Sequence, residues 1–551
     1  MPTARLAADT LVVNGVIRTL DAAGTVASAL AAKDGRIIGI GTLDELRPLV
    51  DRQTEVVDAD GRTVLPGFID AHTYFQNGAV SRYLTIDWQG HNNPRSLGQA
   101  LEDVRRRAAE LPPGEWIRGD GLSHTRVVER RMPTRWELDA VAPHHPVALI
   151  GGGHHLVSAN SLALQLAGIT RDTPDPPAGR IERDAAGEPT GVLVEMAKLR
   201  LNPELADSVL PTYSVEQRLE PVKRTMQSVL SEGITSVHDV VVDPREIATW
   251  IRLRRAGEMQ LRVQLLIRAI EAKTPLEHLV SLGLEHGLGD EWLRFGAVKM
   301  SIDGVCAYRA AAVYDPYPGQ PDHCGYLRIP ADELLEKIPL CHRHNIRCAV
   351  HAVGPRAVDM ALDAYERAFA GQPRPDLRHR LEHVHLPPRP GQLERIAALG
   401  VIVGAQPSFV WKLGDAWLDI WGHDDLKGVM PLRRFRELGI PVMGGTDFPG
   451  TPVSPLLGLR SALARRTRNG EVLDADQAVT LDQAIRFQTT AAAYGGFEEH
   501  LKGSLELGKL ADLIVLSEDP YAVAPEQLDQ VRVDLTMVGG QVVYTRDGAG
   551  F

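Results

Sequence analysis

The segment "LPGFIDAHTYFQ", residues 65–76, is an apolar, strand-like run that ends in His72, Thr73 and Tyr74. It is typical of a strand that closes on a pair of metal ligands, with a tyrosine in the second position. Read alone, one His-x-aromatic triplet is weak evidence, because a lone histidine is usually structural. The rest of the chain has to show whether a metal centre exists.

The composition is that of a globular protein with ordinary polarity. The chain has 551 residues, of which 44% are hydrophobic and 24% charged, enough for one large domain and a satellite. A formal net charge of -11 and a pI near 6.0 argue against nucleic-acid and anionic-membrane partners. We expect a small-molecule substrate, no nucleic acid and no membrane.

The four cysteines, Cys306, Cys324, Cys341 and Cys348, show no CxxC spacing, which points to a reducing compartment. The first residues contain no apolar run of signal-peptide length, and no later window approaches the roughly 20 apolar residues that span a bilayer. The expected location is the cytoplasm.

The middle of the chain alternates strand and helix patterns, which predicts a (β/α)8 TIM barrel. The predicted barrel strands are residues 63–71, 233–240, 261–269, 293–301, 346–353, 378–385, 400–407 and 441–448. A doubly wound open sheet is the alternative, but no GxGxxG motif opens a helix near a strand. The barrel is preferred.

The two ends of the chain share a different texture, with short alternating runs around Asn-Gly, Asp-Gly and Gly-Gly pairs. We expect residues 1–64 and 500–551 to form one small β-sandwich, since each part alone would leave strand edges exposed. Residues 65–499 would then form the barrel. The Pro- and Gly-rich interval at about 76–214 is predicted to be an insertion over the barrel mouth.

Five residues with metal-binding or acid–base chemistry lie at or near the carboxyl ends of predicted strands, where a barrel places its active site. They are His72, Lys299, His351, His383 and Asp447. Any one of them could be a satisfied core residue, but five in the same position are difficult to explain that way.

These motifs resemble those of the amidohydrolase superfamily. "LPGFIDAHTY", "FGAVKMSIDG", "VHAVG", "RLEHVH" and "GGTDFPGTPVSPL" are similar to its successive strand motifs, in order. "GHHLVSANSLAL", "GEPTGVLVE" and "GITSVHD" resemble the YtcJ-like branch, which includes N-substituted formamide deformylases. The resemblance extends from residue 10 to residue 545.

The resemblance implies a divalent metal, most simply zinc, with one or two ions per chain. Lys299 would carry a carbamate that bridges two ions, because an unmodified ammonium beside cations is costly at low dielectric. His351 and His383 would hold one ion, and His72 and Asp447 the second. A bound cation would bring the pKa of its water toward neutrality, and Asp447 would pass the released proton to the leaving nitrogen.

Tyr74 departs from the superfamily pattern, in which a second histidine stands at this place. Three outcomes are open: Tyr74 stands back from a single-ion site, it coordinates as a phenolate, or the centre is inactive. We favour the single-ion site first and phenolate ligation second, because the remaining ligand set is complete.

Three residues are candidates for substrate binding. His155 matches a YtcJ-like motif in the insertion, with a helix-capping loop as the alternative. Arg309 follows the lysine strand and could anchor an anionic group, with a surface ion pair as the equal alternative. Trp411 belongs to "PSFVWKLGDAWLDIWG", whose aromatic residues could line an apolar pocket, although some of them must be core.

The preferred function is metal-dependent hydrolysis of a non-peptide carbon–nitrogen bond, in an N-acyl amide, a formamide or a cyclic amide. A catalytically silent or regulatory protein is the alternative that Tyr74 motivates. A decarboxylase or an isomerase on the same site is a third, because a fold does not fix a reaction. The substrate and the oligomeric state stay open, with a homodimer among the options.

Overall fold

The computed structural model describes residues 7–88, 93–124, 126–151, 156–176, 179–201, 208–270 and 273–551. The strands are β1 (Thr10–Val13), β2 (Val16–Arg18), β3 (Val26–Ala27), β4 (Ala29–Lys33), β5 (Arg36–Gly41), β6 (Glu55–Asp58), β7 (Thr63–Pro66), β8 (Phe68–Thr73), β9 (Ile86–Asp87), β10 (Ile117–Leu122), β11 (Val147–Gly151), β12 (Leu156–Ala159), β13 (Gly179–Arg183), β14 (Pro189–Glu195), β15 (Ile234–Val241), β16 (Arg262–Arg268), β17 (Leu293–Ser301), β18 (Cys348–Ala352), β19 (Arg380–His383), β20 (Ile402–Ala405), β21 (Val442–Gly444), β22 (Leu513–Leu516), β23 (Val533–Val538) and β24 (Gln541–Thr545).

The helices follow the same chain order. They are α1 (Leu43–Leu46), α2 (Phe75–Leu84), α3 (Leu97–Glu110), α4 (Arg135–Val141), α5 (Ser161–Ala167), α6 (Val215–Leu230), α7 (Pro244–Ala256), α8 (Leu276–Ser281), α9 (Ala331–Arg343), α10 (Pro355–Gly371), α11 (Gln392–Leu399), α12 (Ser408–Trp421), α13 (Leu432–Glu437), α14 (Pro455–Ala464), α15 (Leu481–Phe487) and α16 (Thr490–Gly495). Within the described residues, no helix has both the length and the apolar character needed to cross a membrane.

The centre of the molecule is a nearly closed parallel barrel. Eight strands are hydrogen-bonded in the order β21-β20-β19-β18-β17-β16-β15-β8, and each neighbouring pair is parallel. The first and last strands meet at the mouth, where the Asp447 N–H donates to the His72 carbonyl at 2.8 Å. The predicted parallel barrel of eight strands is confirmed, and the open doubly wound sheet is wrong.

The first predicted strand, residues 63–71, is in fact two strands. β7 pairs with β2 and β22 in a terminal sheet, whereas β8 pairs with β15 in the barrel. The chain changes sheets at Gly67, where an added Cβ would lie 2.3 Å from the side chain of Thr235. The apolar run is continuous across this break, so the alternation of residue types alone does not reveal it.

The helices on the barrel bury one face each. The amphipathic faces of α6, α9 and α10 contribute Val222, Leu334 and Leu362 to a large core cluster that also contains barrel residues. α12 was not predicted as a helix, because its Trp and Phe residues suggested only a pocket lining. It begins three residues after β20 and therefore starts at the carboxyl end of the barrel.

Two further sheets lie outside the barrel, one made of N-terminal strands only and one that combines strands from both ends of the chain. One has the order β5-β4-β1-β6 and the other the order β24-β23-β22-β7-β2-β3. A shared apolar cluster contains Val12 and Leu30 from the first sheet and Val64, Leu513 and Met537 from the second. The two ends of the chain are thus packed together.

Between β8 and α6 the chain forms a separate six-stranded sheet in the order β13-β14-β12-β11-β10-β9. Its two faces are covered by different apolar clusters, one around Trp88 and Leu138 and the other around Leu164 and Leu193. The sheet has its own cores, as expected for an inserted unit.

Candidate metal centre

The five predicted strand-end residues are brought together at the mouth of the barrel. The rings of His351 and His383 have centroids 4.4 Å apart, and those of His72 and His383 are 5.0 Å apart. His72 Nε2 lies 3.5 Å from Asp447 Oδ1. Lys299 acts electrostatically on all of these residues, since its charge lowers the pKa of each histidine and of Asp447.

Several polar atoms of this cluster are buried and have no hydrogen-bond partner. They are His72 Nε2, Lys299 Nζ and Asp447 Oδ1, whereas the unpartnered Nε2 of His351 faces Asp303. An unsatisfied buried donor or acceptor costs about 1–3 kcal/mol, so three in one cluster need an explanation. A missing ligand that these atoms share is the simplest one.

An oxygen acceptor lies next to the Nδ1 atom of His72 and of His383. His72 Nδ1 is 2.6 Å from Glu382 Oε2, and His383 Nδ1 is 2.6 Å from Gln406 Oε1. Because carboxylate and amide oxygens only accept, both Nδ1 atoms carry the proton and each Nε2 keeps a free lone pair. This is the usual support for a metal-ligating imidazole.

The Nε2 atom of His351 faces a buried carboxylate, that of Asp303. Its Nε2 lies 3.4 Å from Asp303 Oδ1 without forming a hydrogen bond. Asp303 is itself fixed by the backbone N–H groups of Ala312, Val353 and Gly354, at 2.8–3.0 Å. The sequence prediction missed Asp303, Glu382 and Gln406, and only the charged "RLE" before His383 hinted at one of them.

Arg380 balances the buried charge of Glu382. Its Nε donates to Glu382 Oε1 at 2.6 Å, and its Nη2 donates to the Ala71 carbonyl at 2.7 Å. Burial raises the pKa of Glu382, but Arg380 and His72 lower it further, and the net pKa is well below its usual range. Glu382 is therefore a carboxylate at neutral pH.

Burial and neighbouring cations keep the histidines neutral. Burial, followed by the charge of Lys299, lowers the pKa of His72 to about 4 and that of His351 well below its usual range. Burial and the two other rings do the same to the pKa of His383. Neutral imidazoles are the form that binds metal.

The pKa values of Lys299 and Asp447 are shifted in opposite directions, and each shift favours the neutral form of its group. Burial lowers the pKa of the Lys299 ammonium, and burial raises the pKa of the Asp447 carboxyl. Two groups whose pKa values converge in this way are typical of a functional site.

The backbone is strained at two of the five residues. His383 has φ 82° and Asp447 has φ 55°, a left-handed conformation that non-glycine residues seldom adopt. Strain of this kind costs about 1–3 kcal/mol and tends to occur where side-chain direction matters. Here it ends β19 at His383 and turns the chain after β21.

Tyr74 lies beside His72 but in apolar surroundings. Its ring centroid is 5.9 Å from that of His72, at a steep angle. The ring packs against the barrel-interior cluster that includes Val240, Leu266 and Ala349. Tyr74 could coordinate an ion as a phenolate or could remain uncoordinated, and both outcomes stay predictions.

Within the described residues, no group of three or more His, Cys, Asp or Glu side chains is by itself arranged to hold a metal ion. Lys299 is the additional donor in the predicted ligand set, and its ammonium repels cations in its unmodified form. The donor set therefore fits a divalent ion only if Lys299 is converted to an anionic ligand.

The predicted substrate-binding residues have different outcomes. His155 lies outside the described residues. Arg309 follows β17 with φ 55°, and its buried Nε has no hydrogen-bond partner. Trp411 lies on α12, with the Arg468 guanidinium 5.6 Å from its ring. These roles stay predictions.

The other aromatic residues of this segment divide between the core and the site. Trp417 is fully buried and stacks on His385 at 5.0 Å. Phe409 stacks on the proposed ligand His383, with ring centroids 6.1 Å apart and planes 13° apart. Phe409 thus contacts the cluster through His383.

A nearly closed parallel barrel with histidine, lysine and aspartate side chains clustered at its mouth defines the amidohydrolase type of fold and site. The model of the amidohydrolase family matches residues 55–544. The chain therefore belongs to the amidohydrolase family, and the resemblance found in the sequence is confirmed.

Similar proteins extend over the whole chain. It is 33% identical to the N-substituted formamide deformylase of Arthrobacter pascens, covering 98% of this chain and 99% of that protein. It is 30% identical to the putative amidohydrolase YtcJ of Bacillus subtilis (strain 168), covering 97% and 98%. Among solved structures, an uncharacterized metal-dependent hydrolase from Pyrococcus horikoshii OT3 is similar, with a TM-score of 0.76, 27% identity and coverage of 94% and 99%.

Proposed function

We propose that this chain is a metal-dependent hydrolase of non-peptide carbon–nitrogen bonds, with N-acyl amides and formamides as the preferred substrates and cyclic amides as a further class. Three buried, unpartnered atoms of the cluster at the barrel mouth, His72 Nε2, Lys299 Nζ and Asp447 Oδ1, carry the proposal. The relationship to a protein named as a formamide deformylase supports the substrate class.

In this proposal, His72, His351, His383, Asp447 and a carboxylated Lys299 hold one or two divalent ions, zinc most simply, with or without Tyr74. Burial favours the neutral amine of Lys299, which is the form that attacks carbon dioxide and then loses a proton to give the carbamate. When bound, the cation supplies Lewis-acid activation of water and of the substrate carbonyl.

The proposed proton carrier is Asp447. Its Oδ1 has no hydrogen-bond partner and faces His72 Nε2. The raised pKa suits a group that takes a proton from water and then gives it to the departing nitrogen. Arg309, Trp411 and His155 are proposed to bind the substrate.

The proposed domain organisation is a small β-sandwich made from residues 1–64 and 500–551, and a barrel domain of residues 65–499. The insertion at about 76–214 stands over the barrel mouth. The apolar cluster shared by the two terminal sheets supports the sandwich.

Elemental analysis of protein purified without chelators tests the metal centre. We expect about one to two zinc-like ions per chain, the number that a mononuclear or bridged site takes. Lys299→Met should lose most of this metal, whereas Lys427→Ala, at an exposed lysine, should keep it. Less than about a tenth of an ion per chain would contradict the proposal and favour a catalytically silent protein.

Formate and amine release from simple N-formyl compounds tests the reaction. Metal-loaded wild-type protein should release both products in equal amounts, and Asp447→Asn should bind metal but lose about 100-fold or more of the rate. Metal without any C–N cleavage would instead favour the decarboxylase or isomerase alternative.

A further inference from the structure

The segment "GITSVHD", residues 233–239, places a histidine inside the barrel that the proposed metal centre does not use. His238 lies on β15 and is fully buried. Its Nδ1 atom is 3.0 Å from Nη1 of Arg380, which lies on β19. Since β15 and β19 are not neighbours in the sheet, this contact crosses the interior of the barrel.

The direction of this hydrogen bond is fixed by chemistry. A guanidinium group only donates, so His238 Nδ1 accepts from Arg380 and His238 carries its proton on Nε2. Burial, followed by the charge of Arg380, lowers the pKa of His238 well below its usual range. The imidazole is therefore neutral, and its Nδ1 lone pair is available to Arg380.

The guanidinium of Arg380 is held from two sides. Its Nε donates to Glu382 Oε1 at 2.6 Å, and its Nη2 donates to Glu382 Oε2 at 3.1 Å and to the Ala71 carbonyl at 2.7 Å. Nη1 is the nitrogen that His238 binds. Because the guanidinium is planar, holding Nη1 also fixes the direction of the two bonds to Glu382.

The far end of this chain of bonds is a proposed metal ligand. Glu382 Oε2 lies 2.6 Å from Nδ1 of His72. Four fully buried side chains are thus linked in series, in the order His238, Arg380, Glu382 and His72.

His238 is not bonded in the way that a structural histidine of this barrel is. His379 has partners at both ring nitrogens, the backbone N–H of Cys348 and Nδ1 of His342, each at 3.0 Å. His238 Nε2 is buried and has no hydrogen-bond partner. An unpaired buried donor is unfavourable, so the bond that Nδ1 accepts is the one that accounts for the position of this ring.

We propose that His238 is a positioning residue of the metal centre. It holds Arg380 in the orientation in which Glu382 accepts from His72 Nδ1, and this leaves the Nε2 lone pair of His72 free for an ion. The part of the inference that concerns the ion rests on the proposed function, whereas the series of hydrogen bonds does not require an ion. His238 itself touches neither the ion nor the substrate.

Three substitutions separate the acceptor from the bulk of the ring. His238→Asn keeps an oxygen acceptor close to the place of Nδ1, His238→Gln moves the acceptor toward the place of Nε2, and His238→Leu removes it. The control is Gln264→Leu. Gln264 is the buried partner of His238 on the neighbouring strand β16, and its Nε2 donates to the Gly496 carbonyl at 2.8 Å.

Competition with a chelator measures the zinc affinity of each folded variant. We expect His238→Leu and His238→Gln to lose about tenfold or more, the effect of losing support behind a metal-ligating imidazole. His238→Asn and Gln264→Leu should stay within about threefold of wild type. Wild-type affinity in His238→Gln, or an equal loss in Gln264→Leu, would overturn the proposal, because the effect would then be absent or a general loosening of the barrel.

Crystal structures of the metal-free proteins test the positioning without any ion. The bond between His72 and Glu382 should persist in wild type and His238→Asn and lengthen beyond about 3.5 Å in His238→Gln. An unchanged bond in His238→Gln would overturn the proposal. Wild-type protein that takes up no zinc, together with a broken bond in His238→Gln, would contradict the proposed function and leave the positioning role of His238 standing.

Discussion

His72 and Glu382 share a hydrogen bond of 2.6 Å between Nδ1 and Oε2, and both side chains are fully buried. They come from β8 and β19, which are not neighbours in the sheet, so the bond crosses the interior of the barrel mouth. A charge-assisted bond in such surroundings fixes both the ring orientation and the tautomer. A neutral acceptor takes this place behind His383, whose Nδ1 lies 2.6 Å from Gln406 Oε1.

Removing the acceptor behind His383 should weaken metal binding without unfolding the barrel. In Gln406→Leu the ring loses the partner that holds the proton on Nδ1, and loss of such a support typically costs 10–100-fold in metal affinity. Gln406→Glu keeps an acceptor and should keep most of the affinity. Competition with a chelator measures the affinity, and exposed Gln53→Leu is the control. Wild-type affinity in Gln406→Leu would contradict the assigned tautomer.

The residues that meet at the mouth could be predicted because the carboxyl ends of parallel strands lie together in a barrel. The residues whose oxygen atoms lie against the histidine rings could not be predicted. Gln406 and Asp303 lie in the turns after their strands, where neither strand alternation nor helical periodicity tells where a side chain points. Glu382 was not predicted because it directly precedes His383, and adjacent residues on a regular strand are expected to face opposite sides.

Restoring a histidine at position 74 should increase the metal content. The ring of Tyr74 packs on an apolar cluster beside His72, so a neutral imidazole in its place would add a nitrogen donor to this side of the site. We expect Tyr74→His to raise the metal content from about one ion toward two per chain, the capacity of a bridged site. Elemental analysis measures the change.

Tyr74→Phe separates the two alternatives for the wild-type residue. If the tyrosine stands back from the ion, as we favour, the phenylalanine variant should hold as much metal as wild type. A clear loss of metal in Tyr74→Phe, with an unchanged fold by circular dichroism, would show that the phenolate coordinates.

The eight barrel strands were predicted within a few residues, since buried strands alternate with helices of clear amphipathic period. The exchange of sheets at Gly67 was missed because residues on both sides of it are buried and apolar. α12 was missed because large aromatic residues on several faces mask its helical period.

Gly67→Ala should destabilise the barrel. The new methyl group would lie 2.3 Å from the Thr235 side chain on the neighbouring strand, and overpacking of this kind costs about 1–3 kcal/mol. Denaturant unfolding measures the loss. Thr235→Ala in the same chain should restore most of it, whereas Gly371→Ala, with open space around its Cβ, should be close to neutral. Equal stability of Gly67→Ala and wild type would contradict the tight contact.

The stability that Glu137 gives to the insertion should be lost in acid. Two hydrogen bonds of 2.8 Å from Arg131, together with the backbone N–H of Thr134, lower the pKa of Glu137 to about 2. The pKa of Glu137 in the folded state is therefore lower than its value of about 4.3 in the unfolded chain. Such a group stabilises the folded state fully when the pH is above about 4.3, and this stabilisation is lost as the pH falls toward 2. The Tm difference between wild type and Glu137→Gln should therefore be constant above about pH 5 and shrink below pH 4. The exposed Glu102→Gln is the control, and a difference that stays constant down to pH 3 would contradict the assignment.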